Sequence, residues 1–146
     1  MINFCKFKKI IVLILFLSFE FFLVNSSFAV TKTWKTAATG AWNSASNWEE
    51  GAIPGTGDDV VINKSGTYTI NTVQAVAIRT LSISNGAVVT LQSAAALSLT
   101  INGPAGGTNL FVENGSALYV GGGSVVLTLT FETTAGQKAN IEGELR

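Results

Sequence analysis

The sequence predicts an all-β protein, and within that class a β-solenoid in which successive coils of chain lay strand upon strand. Apolar and polar side chains alternate at period two in short segments such as TYTIN (67–71) and LSLTIN (97–102). This alternation is typical of strands with one buried face. Helical spacing of apolar residues is almost absent, and Asn-Gly or glycine-rich turns separate the segments.

Internal repeats favour the solenoid over other all-β folds. LSISNGAVVTL (81–91) aligns without gaps with LFVENGSALYV (110–120), at an offset of 29. A shorter step of 19, 18 and 19 separates the members of one apolar column, Ile62, Leu81, Leu99 and Leu118. This shorter step predicts about 19 residues per coil, and the 29-residue repeat then makes one and a half coils. A fixed step is typical of a solenoid, whereas a β-sandwich, the alternative, has no reason to keep one.

The same columns predict which side chains point inward. No six-residue motif runs through the chain, which favours a right-handed parallel β-helix over the left-handed hexapeptide form. The predicted inward residues are Ile62, Ile70, Leu81, Ile83, Val89, Leu91, Leu99, Ile101, Leu110, Val112, Leu118, Val120, Leu127 and Leu129.

Residues 1–29 have the features of a secretory signal peptide. Three lysines precede the apolar run IIVLILFLSF (10–19), and the small residues Ser27 and Ala29 mark a cleavage point before Val30. A glutamate interrupts the apolar residues, which fall short of the roughly 20 that a membrane-spanning helix needs. We therefore expect no stable membrane span and a secreted, extracellular or cell-surface location.

The chain then divides into three parts. Residues 1–29 are the signal peptide, residues 30–59 a tryptophan-rich N-terminal cap, and residues 60–146 the β-helix coils. No cap comparable to the first follows the last coil, and an uncapped solenoid exposes unpaired strand edges. We therefore expect the coils to be truncated at the C terminus, or covered by a partner such as further coils of a longer chain.

Charge and composition exclude several classes of function. Nine basic and nine acidic residues, without a basic cluster, give no electrostatic footprint for nucleic acid. The chain has no histidine, and its only cysteine is Cys5 in the leader. Histidine-based catalysis, thiolate zinc sites and disulfide bonds are therefore excluded from the rest of the chain.

The segment TGAWNSASNWEEGAIPGTGDDVVI, residues 39–62, follows Trp34 and leads into the first regular strand. Its order of Gly-x-Trp, Asn-Trp, Pro-Gly and Gly-Asp-Asp-Val-Val-Ile resembles the start of the eight-glycine extracellular domain family. It also resembles the openings of bacterial right-handed β-helix surface proteins. The resemblance covers about residues 34–103. It implies paired strands around glycine turns in a secreted or surface protein that contacts a ligand or polysaccharide, and it carries over no catalytic residue.

Aromatic residues in this segment have two interpretations. Packed together, the tryptophans would close the first coil and cover its unpaired strand edge. Exposed, Trp42 and Trp48 would offer stacking faces for sugar rings, with Tyr119 as a companion. These three residues are the candidate ligand-binding residues.

Asp58 and Asp59 close a Gly-Thr-Gly turn. A short carboxylate at such a turn accepts backbone N–H bonds, and this is the favoured interpretation. The alternative is calcium, the one cofactor for which the sequence offers candidates. Calcium needs six to eight oxygen ligands, and only Asn63 is an obvious nearby addition.

Catalytic residues are the last question. Glycosidases need two carboxylates about 5–10 Å apart, and Glu113 and Glu132 lie one 19-residue step apart, so they could stack on one face. Because Glu113 adjoins an Asn-Gly turn and Glu132 follows a strand, we expect two solvated carboxylates instead of a site. Arg79 is the candidate base for a lyase, but we expect it to face solvent or pair with Asp59. We therefore predict a noncatalytic extracellular or cell-surface module, structural or adhesive, with polysaccharide as a ligand. The alternative is the N-terminal part of a secreted polysaccharide-degrading β-helix enzyme.

Overall fold

The structure is a computed structural model that describes residues 29–132 and 136–146. The predicted signal peptide, apart from Ala29, lies outside the described residues. Across the part that is described, no helix is long and apolar enough to cross a membrane. The only helical element in this part is a 3-10 turn at Ala45–Asn47. The strands are β1 (Thr31–Thr33), β2 (Gly40–Ala41), β3 (Asp59–Ile62), β4 (Gly66–Asn71), β5 (Ala77–Ile78), β6 (Thr80–Ile83), β7 (Ala87–Leu91), β8 (Leu97–Ile101), β9 (Thr108–Val112), β10 (Ala117–Val120), β11 (Leu127–Phe131), β12 (Lys138–Ile141) and β13 (Glu144–Leu145).

These strands form three sheets, and the pairings between them are all parallel. Sheet I has the order β1-β3-β6-β9-β12, sheet II the order β13-β10-β7-β4-β2, and sheet III the order β11-β8-β5. From β3 onwards the chain passes through sheets I, II and III in turn, and we call one passage through the three sheets a round. Each strand therefore lies beside the corresponding strand of the preceding round. The all-β prediction is confirmed. Parallel pairing differs from the antiparallel sheets of a β-sandwich.

The first round of chain has no strand in sheet III. Strands β1 and β2 begin sheets I and II, and residues 42–58 then take the place of a third strand. The N–H of Gly57 donates to the carbonyl of Ala77 at 2.9 Å, and the N–H of Arg79 donates to the carbonyl of Asp58 at 2.7 Å. These bonds hold the segment against β5 and the corner that follows it.

The pairing of residues between neighbouring strands shows that the predicted coil length is wrong. Leu81 pairs with Leu110, and Ile83 pairs with Val112, which is the offset of the longer, 29-residue repeat. That repeat is therefore one complete round at this point of the chain. The preceding round is shorter, because Asp59 pairs with Thr80 and Tyr68 pairs with Val89, an offset of 21 residues (80 − 59 and 89 − 68). The predicted uniform coil of about 19 residues is therefore wrong.

The first 19-residue step, from Ile62 to Leu81, joins the neighbouring strands β3 and β6 of sheet I. From β6 onwards the round is longer, and the shorter step spans about two of its three strands. Accordingly Leu81, Leu99 and Leu118 lie on strands of sheets I, III and II.

Rounds differ in length mainly in the connection that leads from a strand of sheet III to the next strand of sheet I, which we call the corner between these sheets. After β5 a single residue, Arg79, makes this connection, whereas residues 102–107 make it after β8. The connections between sheets I and II stay short, at three residues after β3 and β6 and four after β9. Strand register is kept across the longer corner, because Leu81 still pairs with Leu110 and Ile83 with Val112.

One apolar core receives side chains from all three sheets. Twelve of the fourteen predicted inward residues are buried, and the other two, Val120 and Leu129, are partly buried against the same core. The predicted inward set is thus confirmed. Burying each large apolar side chain contributes roughly 1.5–3 kcal/mol. The core also contains residues absent from the predicted set, namely Val60, Tyr68, Val73, Ile78 and Ala87.

Candidate functional site

The three tryptophans form one buried cluster beside the first round of strands. Trp34, Trp42 and Trp48 are 1%, 0% and 1% exposed. The Trp48 ring lies edge-on to both neighbours, with its centroid 5.1 Å from that of Trp34 and 5.0 Å from that of Trp42. Edge-to-face contact is a favoured geometry for aromatic pairs. Trp42 and Trp48 therefore present no face on which a sugar ring could stack, and their expected role as ligand-binding residues is corrected.

The carboxylates of Asp58 and Asp59 both accept hydrogen bonds from other groups of the protein. The Asp58 carboxylate accepts the N–H of Gly55 at 2.9 Å, which is the predicted turn-capping arrangement. Asp59 accepts Arg79 Nε at 2.8 Å and the hydroxyl of Thr80 at 2.6 Å, and it also forms an ion pair with the Arg79 guanidinium. The expected pairing of Arg79 with Asp59 is confirmed. No cluster of three or more acidic, histidine or cysteine residues suited to a metal occurs in the described part of the chain.

We expect the ionisation of the Asp59 carboxyl group to make the free energy of unfolding depend on pH. Burial disfavours its charged form, but hydrogen bonds from Arg79 and Thr80, together with the guanidinium charge, outweigh burial and lower its pKa below the ordinary value of 3.8. Its lowered pKa stabilises the folded state above pH 3.8, and this contribution is lost as the pH falls through the folded-state pKa. We expect the wild type to be more stable than Asp59→Asn near neutral pH, with a difference that shrinks below about pH 4. Urea unfolding of both proteins from pH 3 to pH 7 measures this, and a difference that stays constant over the range would contradict it.

Tyr119 lies in a different setting, on the outer face of sheet II. It is half-buried in β10 and borders an open depression of about 440 Å³. The ring sits at the end of a row across the sheet, because Thr69 pairs with Thr90 and Thr90 pairs with Tyr119. The polar side chains that line the depression with it are Asn114, Ser116, Glu142 and Glu144.

Charged neighbours orient the Tyr119 side chain. Its hydroxyl donates to Glu144 Oε2 at 2.7 Å, and the guanidinium carbon of Arg146 lies 5.9 Å from the ring centroid. Arg146 also forms an ion pair with Glu144. The hydrogen bond to Glu144 is the main reason that the pKa of Tyr119 is raised. The phenol therefore stays neutral and acts as a hydrogen-bond donor at physiological pH, at the border of the depression.

A family model for a domain of unknown function matches residues 33–125 of this sequence, more than half of the chain. The chain belongs to the DUF8693 family. No curated protein and no solved structure matched the chain. The DUF8693 match includes the tryptophan cluster and Tyr119, whereas Glu142, Glu144 and Arg146 follow its last residue.

The two carboxylates weighed as a glycosidase pair, Glu113 and Glu132, lie on different sheets in this DUF8693 chain. Glu113 follows β9 of sheet I, and its carboxylate accepts the backbone N–H of Asn85. Glu132 follows β11 of sheet III and is exposed. The two residues share no sheet face, so they do not stack one coil apart, which was the less favoured alternative to two solvated carboxylates. The reason is again that the 19-residue step corresponds to about two strands instead of one round.

Sequence reasoning identified Tyr119 but missed the residues around it. Glu142 and Glu144 come from the next round, where β13 pairs with β10 and places Glu144 opposite Ala117. A 19-residue coil puts Glu144 far from this position. The 29-residue repeat, taken as one round, would have placed Glu144 opposite residue 115, close to its actual register.

Proposed function

We propose that this DUF8693 chain is a noncatalytic β-solenoid module of a secreted or cell-surface protein that binds a neutral polysaccharide on the outer face of sheet II. The rotation of strands through three parallel sheets supports the solenoid. Crossovers between parallel strands of one sheet are right-handed in nearly all proteins, which favours the right-handed form. The features of a signal peptide in residues 1–29 support export.

The depression beside Tyr119 is the observation that carries the binding proposal. It combines a half-buried aromatic ring with an amide, a hydroxyl and two carboxylates. A tyrosine ring offers an apolar face and a polar tip, and the surrounding groups can hydrogen-bond the hydroxyls of a sugar. Arg146 lies near the ring, but its side chain is 73% exposed and can move aside.

The charges around Tyr119 select among polysaccharides. Glu142 and Glu144 bring two carboxylates to the depression, against the single guanidinium of Arg146, which already pairs with Glu144. An acidic sugar placed there would meet like charges, which disfavours binding. A neutral polysaccharide avoids this repulsion, and the polar row of Thr69 and Thr90 extends the contact surface across sheet II.

The test is direct binding of neutral and acidic polysaccharides to the protein recovered after expression from Met1. We expect Tyr119→Ala to weaken binding of a neutral polysaccharide about two- to tenfold, because an aromatic contact is worth about 0.5–1.5 kcal/mol. Tyr119→Phe keeps the ring and should retain most of the affinity. Thr128 is an exposed residue of β11 in sheet III, away from the depression on sheet II. Thr128→Ala is therefore the matched control and should bind like the wild type.

Three results would overturn the proposal. They are a wild type that binds none of the polysaccharides at millimolar sugar concentration, a Tyr119→Ala variant that binds as tightly as the wild type, and acidic polysaccharides that bind better than neutral ones. Thermal unfolding of each variant separates a lost contact from a lost fold.

A further inference from the structure

The chain contains three Asn-Gly pairs, at residues 85–86, 102–103 and 114–115. In such a pair the backbone nitrogen of the glycine can attack the side-chain amide of the asparagine, because glycine has no Cβ atom to block the close approach. The attack requires the side chain and the glycine peptide group to move towards each other. Hydrogen bonds and packing that hold either group therefore slow the reaction, and the three pairs differ in these contacts.

The first pair is held by hydrogen bonds on both reacting groups. The side-chain amide of Asn85 donates to the carbonyl of Asn63 at 3.1 Å. The N–H of Gly86, which carries the attacking nitrogen, donates to Ser116 Oγ at 3.1 Å. Both bonds must open before the two groups can meet, so only a minor, locally opened population of the folded protein can react.

The second pair is held mainly by packing. Gly103 is buried, and the N–H of Asn102 donates to the carbonyl of Ile78 at 2.8 Å. The carbonyl of Gly103 accepts Gln137 Nε2 at 3.1 Å. A Cβ atom on Gly103 would lie 2.6 Å from the carbonyl oxygen of Arg79, so the surroundings leave the peptide group little room to rotate.

The third pair has neither kind of contact. Asn114 and Gly115 are both exposed, in the connection between β9 and β10. Among the described residues, the hydrogen bonds of this connection leave the Asn114 side-chain amide and the Gly115 N–H without a partner. A Cβ atom on Gly115 would meet no atom within 4 Å, so its peptide group has room to turn towards the side chain.

We propose that Asn114 is a site of spontaneous deamidation in the folded protein, with the backbone of Gly115 as the nucleophile and water as the co-reactant. The Gly115 nitrogen bonds to Cγ of Asn114, the bond from Cγ to Nδ2 breaks, and the proton lost by the backbone nitrogen leaves with ammonia. Water then opens the resulting succinimide ring. Cleavage between Cγ and the Gly115 nitrogen gives aspartate, whereas cleavage between the backbone carbonyl carbon of residue 114 and that nitrogen gives isoaspartate.

Both products change the depression beside Tyr119. Asn114 and Gly115 line this depression together with Glu142 and Glu144. Deamidation removes an amide N–H donor and adds a carboxylate to a border that already has two. The effect on binding rests on the function proposed above, since the site would lose one hydrogen bond to a sugar hydroxyl and repel acidic sugars more strongly. The deamidation itself does not depend on that function.

Peptide mapping by mass spectrometry tests the proposal on the protein recovered after expression from Met1 and incubated in neutral buffer. We expect aspartate and isoaspartate to form at residue 114 about tenfold faster, or more, than at residues 85 and 102, because contacts must first open at those two pairs. In concentrated urea these contacts are absent, so the three rates should approach one another. Asn114→Gln is the matched control, because its longer side chain keeps the amide but disfavours ring closure, and residue 114 should then stay unmodified.

The same incubated samples report on the depression. The deamidated wild type should bind a neutral polysaccharide about two- to tenfold more weakly than before incubation, which corresponds to one lost hydrogen bond, and Asn114→Gln should keep its affinity. A residue 114 that reacts no faster than residues 85 and 102 in the folded protein, or that reacts only in urea, would overturn the proposal. Unchanged binding after complete deamidation would refute the effect on the site. A fresh wild type that binds no polysaccharide would contradict the proposed function, while the peptide map still decides whether Asn114 is modified.

Discussion

Replacing Trp48 by alanine should lower the free energy of unfolding by about 3–5 kcal/mol, the usual cost of truncating a packed tryptophan. Trp48 is 1% exposed and stands between the other two tryptophan rings. Its Nε1–H also donates to the carbonyl of Trp42 at 2.8 Å in a buried hydrogen bond. Equilibrium unfolding in guanidinium chloride, followed by tryptophan fluorescence and circular dichroism, measures the loss.

Phenylalanine variants give the matched control for this prediction. Trp48→Phe loses a buried hydrogen bond, at a cost of about 1–3 kcal/mol beyond the smaller ring. The indole N–H of Trp42, by contrast, has no partner among the described residues, so Trp42→Phe removes no such bond. We expect Trp48→Phe to be the less stable of the two. Equal stabilities of the two phenylalanine variants would show that the hydrogen bond of Trp48 contributes nothing. A Trp48→Ala protein as stable as the wild type would show that the cluster does not stabilise the first round.

Gly103→Ala is expected to have the second large effect. A Cβ atom on residue 103 would lie 2.6 Å from the backbone carbonyl oxygen of Arg79 and would also overlap the side chain of Asn109. Asn109 is 1% exposed, and its oxygen accepts the N–H of Lys138 at 3.2 Å, so it has little freedom to move. Overpacking of this kind costs about 1–3 kcal/mol, and occasionally more.

A neighbouring glycine provides the control for Gly103. Gly107 lies in the same corner, and a Cβ there would meet its nearest atom, the carbonyl oxygen of Pro104, at an ordinary 3.6 Å. Gly107→Ala should therefore change stability by no more than about 0.5 kcal/mol. Parallel urea titrations of the two variants decide the matter, and similar midpoints would contradict the close approach at Gly103.

The strands and their buried faces could be predicted from the sequence because alternation at period two is a local property of each strand. Segments 67–71 and 97–101 lie on strands, and Ile70, Leu99 and Ile101 are buried in them as expected. The length of a round is not local. With three strands per round, similar apolar segments recur at every strand, so several multiples of the strand spacing compete as the apparent period. Only strand pairing distinguishes the shorter step from the longer repeat.

The candidate site was predictable to a smaller extent. A tryptophan-rich segment fits either a buried cap or an exposed binding surface, and burial at 0% and 1% for Trp42 and Trp48 decides between them. Composition reveals no such difference, since both interpretations use the same residues. Tyr119 could be singled out as an aromatic residue, but Glu144 becomes its neighbour only through pairing of β13 with β10. That contact depends on the round length.

The corner between sheets III and I shows where this architecture can change during evolution. One residue, Arg79, suffices there in one round and six residues serve in the next, yet the strands on either side keep their register. Surface loops lengthen at a small cost in free energy, about 0.6 kcal/mol for each doubling. A change of chain length at this corner therefore need not disturb the strands, whose positions are set by the core. A longer or shorter corner would change the surface along this edge and leave the framework of paired strands as it is.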